Sequence, residues 1–153
     1  MLNFFTKVFL HGIAYAHCDI PCGIYDPNGA QLAAHTVLRM TQLLAEKTDT
    51  HDIARITHTK EKHGEAVEEE LGTLENDYFK TEHFEQFPEL NSLLSDAVKL
   101  SIETRQHVDK QKAEDLLEKV LQISEIFYKT KNVTPLRVPS VYPTKGEIVI
   151  YTA

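Results

Sequence analysis

Residues Lys110–Lys129 read KQKAEDLLEKVLQISEIFYK, and within them Ala113, Leu116, Leu117, Val120, Leu121, Ile123 and Phe127 recur at intervals dominated by three and four. That spacing lines one face of an α-helix, with Glu, Asp, Lys and Gln on the other, so the segment is amphipathic and must bury one side. Three stretches upstream repeat the pattern. Ala30, Ala33, Val37, Met40 and Leu44 mark a helix from Asn28 to about Lys47, ended by Thr48-Asp49-Thr50. Ile53, Ile56, Val67, Leu71, Leu74 and Tyr78 mark a second from about Asp52 to Tyr78, although Lys60 and His63 stand where the stripe asks for apolar side chains. Pro88 opens a third, carrying Leu90, Leu93, Leu94, Ala97 and Val98, because the N–H that proline lacks is unpaired in a first helical turn anyway. The stretch Gln106–Asp109 separates it from the fourth. Four amphipathic helices joined by short breaks predict an all-α, up-and-down four-helix bundle.

The flanks differ in kind. From Val133 onward Pro135, Pro139 and Pro143 precede Lys145-Gly146 and the β-prone run Glu147–Tyr151. This predicts a short extended C-terminal tail over residues 132–153, paired back on Ser140–Thr144 as a hairpin or added to a neighbouring subunit. At the other end, residues 1–16 are apolar and aromatic and finish in Ala14-Tyr15-Ala16, a small-x-small ending that a leader peptidase accepts. His11-Gly12 breaks the run and Lys7 is its one cation, which makes a poor export signal. The expectation is a removable leader over 1–16 on a cytoplasmic protein, with a secreted or periplasmic one as the alternative. No other run approaches the roughly 18 apolar residues of a membrane span. A net charge of -7 over 153 residues, spread through mixed-sign segments, lacks the clustered Lys and Arg of a nucleic-acid surface. Neither nucleic acid nor membrane is expected as a partner.

Between leader and bundle stands HCDIPCGIYDP, His17–Pro27, whose two prolines and glycine preclude a helix and make an irregular hook. It holds both cysteines of the chain, Cys18 and Cys22, which could close only a small loop and so constrain the unfolded chain little. If His17 becomes the N-terminus, a free amine, a backbone amide and two thiolates lie within six residues. The amine and amide of the first two residues close a five-membered chelate, which favours a planar donor set. Planar sulfur and nitrogen donors suit Ni(II) or Cu(II), whereas zinc asks for a tetrahedron. From spacing alone, a thiol peptide or a disulfide reads equally well.

The run HCDIPCGIYDP closely resembles the nickel hook of the nickel superoxide dismutases. Asp77-Tyr78-Phe79-Lys80, followed by His83-Phe84-Glu85 and Pro88-Glu89-Leu90, resembles a second family motif, and Ile126-Phe127-x-x-Thr130-Lys131 a weaker third. The resemblance implies one nickel ion per subunit, bound as Ni(II) by the His17 amine, the Cys18 amide and the Cys18 and Cys22 thiolates, with the His17 imidazole joining axially as Ni(III). It implies cycling between these states with superoxide as substrate, dioxygen and hydrogen peroxide as products, and a homohexamer. Tyr25 and Tyr78 match the tyrosines placed over the nickel, Lys80 is the candidate cation for capturing the anionic substrate, and Asp19 has a supporting place. Pro21 and Gly23 shape the turn, and proline makes a cis Ile20-Pro21 bond inexpensive, at about 1 kcal/mol. Because the His17 nitrogen is an amine only after cleavage, a processing peptidase is an implied partner.

The sequence departs from that family where the axial imidazole is oriented by a glutamate and an arginine: Ala33 and His63 stand there. Such supporting residues tune ligand orientation and redox behaviour. A catalytically weak nickel-binding bundle is therefore the second reading, and a zinc- or disulfide-held structural oligomer that keeps residues 1–16 the third. His35, His51, His58, His83 and His107 read as surface or core histidines, since His58 and His63, five apart, do not share a helix face.

Overall fold

Asp49 and Asp109 each turn a carboxylate back onto the helix that follows, accepting the N–H of Asp52 at 2.9 Å and of Lys112 at 3.1 Å. These caps satisfy otherwise unpaired donors, typically worth about 1 kcal/mol each, and fix where two helices begin. The computed structural model describes residues 23–152, so the leader and the ligands His17, Cys18 and Cys22 lie outside the described residues. Within them run α1 (Asn28–Leu44), α2 (Thr50–Thr73), a π-helical turn (Leu74–Tyr78), α3 (Thr81–Gln86), α4 (Leu90–Gln106), α5 (Lys110–Thr130), β1 (Thr134–Pro139) and β2 (Glu147–Thr152).

The four long helices close a ring in which α1 packs on α2, α2 on α4, α4 on α5 and α5 on α1. Their directions follow from the contacts. Glu61 meets Arg105 while Glu68 meets Ser101, and Asp96 meets Lys119 while Glu103 meets Lys112, so each pair runs antiparallel. The expected four-helix bundle is the one observed. Two local differences stand out. Residues 81–86 form the short helix α3, too brief for periodicity to show. Pro88 lies in the turn before α4, whose N-cap is Glu89, so the proline ends the preceding segment rather than supplying the first helical turn.

One of the two interruptions in the α2 stripe, Lys60, is explained by its seam with α4. Lys60 is 2% exposed, and its ammonium donates to the carbonyls of Thr104, Arg105 and His107, the last two of which lie 3.0 Å away. It thus satisfies the C-terminal carbonyls of α4, where the helix dipole favours a cation. Burial lowers its pKa. Four residues on, Gly64 lets the stem of Arg105 cross the helix: a Cβ there would stand 2.5 Å from Arg105 Cγ. Ser101 donates to the Gly64 carbonyl at 2.9 Å across the same seam.

The tail does form a hairpin, but with a different strand. Glu147–Thr152 pairs with Thr134–Pro139, from Thr134↔Thr152 to Pro139↔Glu147, and Ser140–Thr144 belongs to the connection. A Schellman turn sends the chain there: Asn132, at φ 59°, follows α5, its N–H donating to the Lys129 carbonyl and that of Val133 to Tyr128. The outward-facing edge of β2 is taken up by α1. Gln31 donates to the Val149 carbonyl at 3.1 Å and accepts its N–H at 2.7 Å, as a strand would. Val149 therefore points its backbone away from β1, and its partner Arg137, with Pro135 and Pro139, occupies the opposite outer edge. Two of those three positions lack an N–H, which blunts that edge against another strand. Salt bridges fasten β1 to α5: Arg137 meets Glu118 through two nitrogens at 2.8 and 2.9 Å and Glu125 at 2.6 Å.

His35 of α1, 3% exposed, holds the connection. Its Nε2 donates to the Glu147 carbonyl at 2.8 Å, so in the neutral ring Nδ1 accepts from the Thr144 hydroxyl at 2.9 Å. Burial is the larger influence on its pKa and lowers it from the ordinary 6.5, against the Glu147 bond. The unfolded chain then binds the extra proton more readily, so the contribution of His35 to stability is present above about pH 6.5 and is lost as pH falls towards the folded value. Thermal unfolding followed from about pH 7.5 to pH 5.5 should show a larger fall in midpoint for the parent than for His35→Gln.

Candidate metal centre

The end of the bundle that carries the N-terminus of α1 also gathers the ends of α2 and α5. Gly23 enters with φ of +88°, a conformation that a Cβ disfavours. Asp26 accepts the Asn28 N–H at 2.7 Å, and Pro27 caps α1. Between them Tyr25, half-buried, packs against the core with its ring 5.6 Å from that of Tyr78.

Tyr78 owes its place to the π-helical turn. Phe79 N–H donates to the Leu74 carbonyl at 2.8 Å, five residues back, and the widened turn brings both Tyr78 and Phe79 inward, at 9% and 5% exposure. The Tyr78 ring lies 4.6 Å from Phe127 and 5.2 Å from Phe79, and stacks on His83 at 5.6 Å. The Lys80 N–H donates to His83 Nδ1 at 3.1 Å, which orients that imidazole. Lys131 Nζ stands 4.6 Å from the centre of the Tyr78 ring, within cation–π range. Burial raises the Tyr78 pKa, and burial with the nearby Asp26 charge pushes Tyr128 up to about 12, so both phenols keep their protons at neutral pH.

Of the residues singled out in the sequence, the structure thus brings Tyr25 and Tyr78 together. Lys80 is exposed at the N-terminus of α3. The cation over the Tyr78 ring is Lys131. Phe127, Thr130 and Lys131 carried a signal in the third motif and His83 in the second, but that His83 of α3 stacks on Tyr78 in the preceding turn was not legible there. Ala33 is 4% exposed within the core. His63 donates through Nδ1 to the Thr59 carbonyl at 2.9 Å, which leaves Nε2 an acceptor in the neutral ring.

Among the described residues, no group of three or more His, Cys, Asp or Glu side chains stands together as a metal site. The donor types just before Gly23 in the sequence, two thiols and an imidazole, fit nickel by their chemistry. Residues 12–131 match the model of the family described as nickel-containing superoxide dismutase.

The chain belongs to that family. It is 39% identical over 116 residues to the superoxide dismutase [Ni] of Streptomyces seoulensis, and 37% identical over 116 residues to that of Streptomyces coelicolor; each match spans 76% of this chain and 88% of the relative. Solved nickel superoxide dismutase structures superpose with TM-scores of 0.72 for one with nickel ligation of the oxidised state and 0.71 for a native one, at 38% and 36% identity. They cover 76% and 75% of this chain and 99% of theirs. The family match holds the hook and all five helices and stops at Lys131, so the C-terminal hairpin lies beyond it.

Superoxide is an anion, and a cation beside its path raises the encounter rate. Lys131→Met is expected to lower kcat/KM severalfold at low salt and to flatten its decline with ionic strength. Steady-state dismutation measured over a salt series, with Lys80→Met alongside, separates the contributions of the two lysines.

Proposed function

We propose that this chain dismutates superoxide at a nickel ion held by His17, Cys18 and Cys22, after a peptidase has removed residues 1–16 as a leader. The observation that carries the reading is the pairing of Tyr25 with Tyr78 immediately after a segment that holds both thiols of the chain. Two superoxide anions and two protons give one dioxygen and one hydrogen peroxide. Nickel bound by these donors supplies the one-electron couple that links the two halves.

The protein's own part is access and protons. Tyr25 and Tyr78 form the gate, and the aromatic packing of Tyr78 against Phe79, His83 and Phe127 fixes that side of it. The two rings stand 5.6 Å apart and offer aromatic surface with a phenol each, which suits a small anion. Lys80 and Lys131 provide positive charge at this end of an otherwise acidic protein. Cleavage before His17 matters because an internal His17 nitrogen is an amide, which binds a metal only after losing its proton, whereas a free amine offers a basic lone pair as it stands. We assign residues 17–131 to the catalytic unit, residues 132–153 to a separate tail, and the enzyme to the cytoplasm.

Dismutation and bound nickel are to be measured together on protein that begins at His17 and on protein that begins at Met1, each supplied with nickel. Activity should accompany nickel in the trimmed form alone. Tight nickel binding without activity in that form would favour a nickel-binding protein, as the changes at Ala33 and His63 suggest.

A homohexamer is the proposed assembly, with the exposed Ile24 and Leu32 beside the hook available for subunit contacts. Because the hairpin is bound to its own α1 and α5, truncation after Asn132 should leave the number of subunits, measured by sedimentation, unchanged while lowering the unfolding temperature. A smaller assembly after truncation would transfer the subunit contact to the tail.

A further inference from the structure

The hydroxyl of Thr130 touches two oxygens. It lies 2.7 Å from the carbonyl of Phe127 and 2.6 Å from the phenol oxygen of Tyr78. A threonine hydroxyl has one proton, and a carbonyl oxygen can only accept. At 2.7 Å the Phe127 contact is a hydrogen bond only if Thr130 donates it. The short contact with Tyr78 then requires the phenol to be the donor.

We infer that Thr130 is a positioning residue for the reaction: it holds the Tyr78 O–H as a committed donor into the end of α5, so that Tyr78 presents oxygen lone pairs, and no proton, towards the gate. This rests on Tyr78 forming that gate. The consequence is a division of labour between the tyrosines and water. Reduction of superoxide to hydrogen peroxide consumes one electron and two protons, and neither proton comes from Tyr78 while this bond stands. Tyr78 can instead accept from a water or from the hydroperoxide product and so orient it. The surroundings enforce the arrangement from every side. Phe127 and Phe79 pack the ring, His83 stacks on it, and Lys131 covers it, so the phenol cannot swing to another acceptor without breaking the whole set.

The test uses the nickel-loaded enzyme and three variants, Thr130→Val, Thr130→Ser and Tyr78→Phe, with the Thr130→Val/Tyr78→Phe pair. The tyrosine Fermi doublet in ultraviolet resonance Raman reports whether a phenol donates or accepts. Subtracting the Tyr78→Phe spectrum isolates Tyr78 from the other tyrosines. Thr130→Val should move the Tyr78 doublet away from the donor pattern and lower kcat/KM by roughly three- to tenfold, the size of one neutral hydrogen bond. Thr130→Ser should restore both. On the Tyr78→Phe background, Thr130→Val should cost nothing further, since coupled residues are not additive. An unchanged doublet or unchanged kcat/KM in Thr130→Val, with Tyr78→Phe impaired, overturns the role of Thr130 alone. An equal loss from Thr130→Val on both backgrounds overturns it too, as a general packing effect. Full activity in Tyr78→Phe would instead remove the gate itself, and the positioning role with it.

Discussion

The C-terminal turn of α5 is the constraint on which this protein depends. Within six residues, Phe127 packs the Tyr78 ring, Tyr128 touches Tyr151 of the hairpin, Thr130 takes the Tyr78 hydroxyl, Lys131 covers the same ring and Asn132 redirects the chain. Core, gate and tail all meet there. The turn can serve all three because a Schellman motif satisfies the last carbonyls internally, which frees the side chains to face three different neighbours. A substitution at one of these positions is therefore felt in more than one place.

Antiparallel packing explains how Tyr25, just before α1, comes to lie against Tyr78, at the end of the second helical stretch. An up-down-up-down bundle returns the start of its first helix and the ends of its second and fourth to one end. The residues that lead into α1, Tyr25 among them, thus stand beside Tyr78 by topology. The opposite end does other work. There Lys60 ties α2 to the last carbonyls of α4, and Arg105 adds bonds to Glu61, Glu65 and Glu68 across the same seam. A buried ammonium is costly unless its protons are all used, and here three carbonyls receive them.

The hairpin shows how an extra segment is added to a bundle without creating a sticky edge. Proline removes donors along one side, and the amide of Gln31 imitates a strand along the other. Its outward pair Leu136 and Ile150 remains partly exposed, yet the backbone is no template for another chain. Because the hairpin packs on α1 and α5, it also covers side chains of α5 beyond the single expected stripe: Ser124, Ile126 and Tyr128 are buried as well.

Sequence by itself determined the four long helices, because helical spacing is a local property of the chain, and the resemblance of two short motifs to one family singled out Tyr25 and Tyr78, which the fold brings together. It misjudged what depends on distant partners. Lys60 and His63 looked like faults in a stripe, Ser140–Thr144 looked like a strand, and His35 and His83 looked interchangeable. Only the tertiary structure decided that Lys60 caps another helix, that β2 pairs with Thr134–Pro139, that His35 clasps the tail while His83 stacks on Tyr78, and that Lys131 covers the same ring. In each case the deciding partner lies on another element, and its position is fixed by packing that no local pattern encodes.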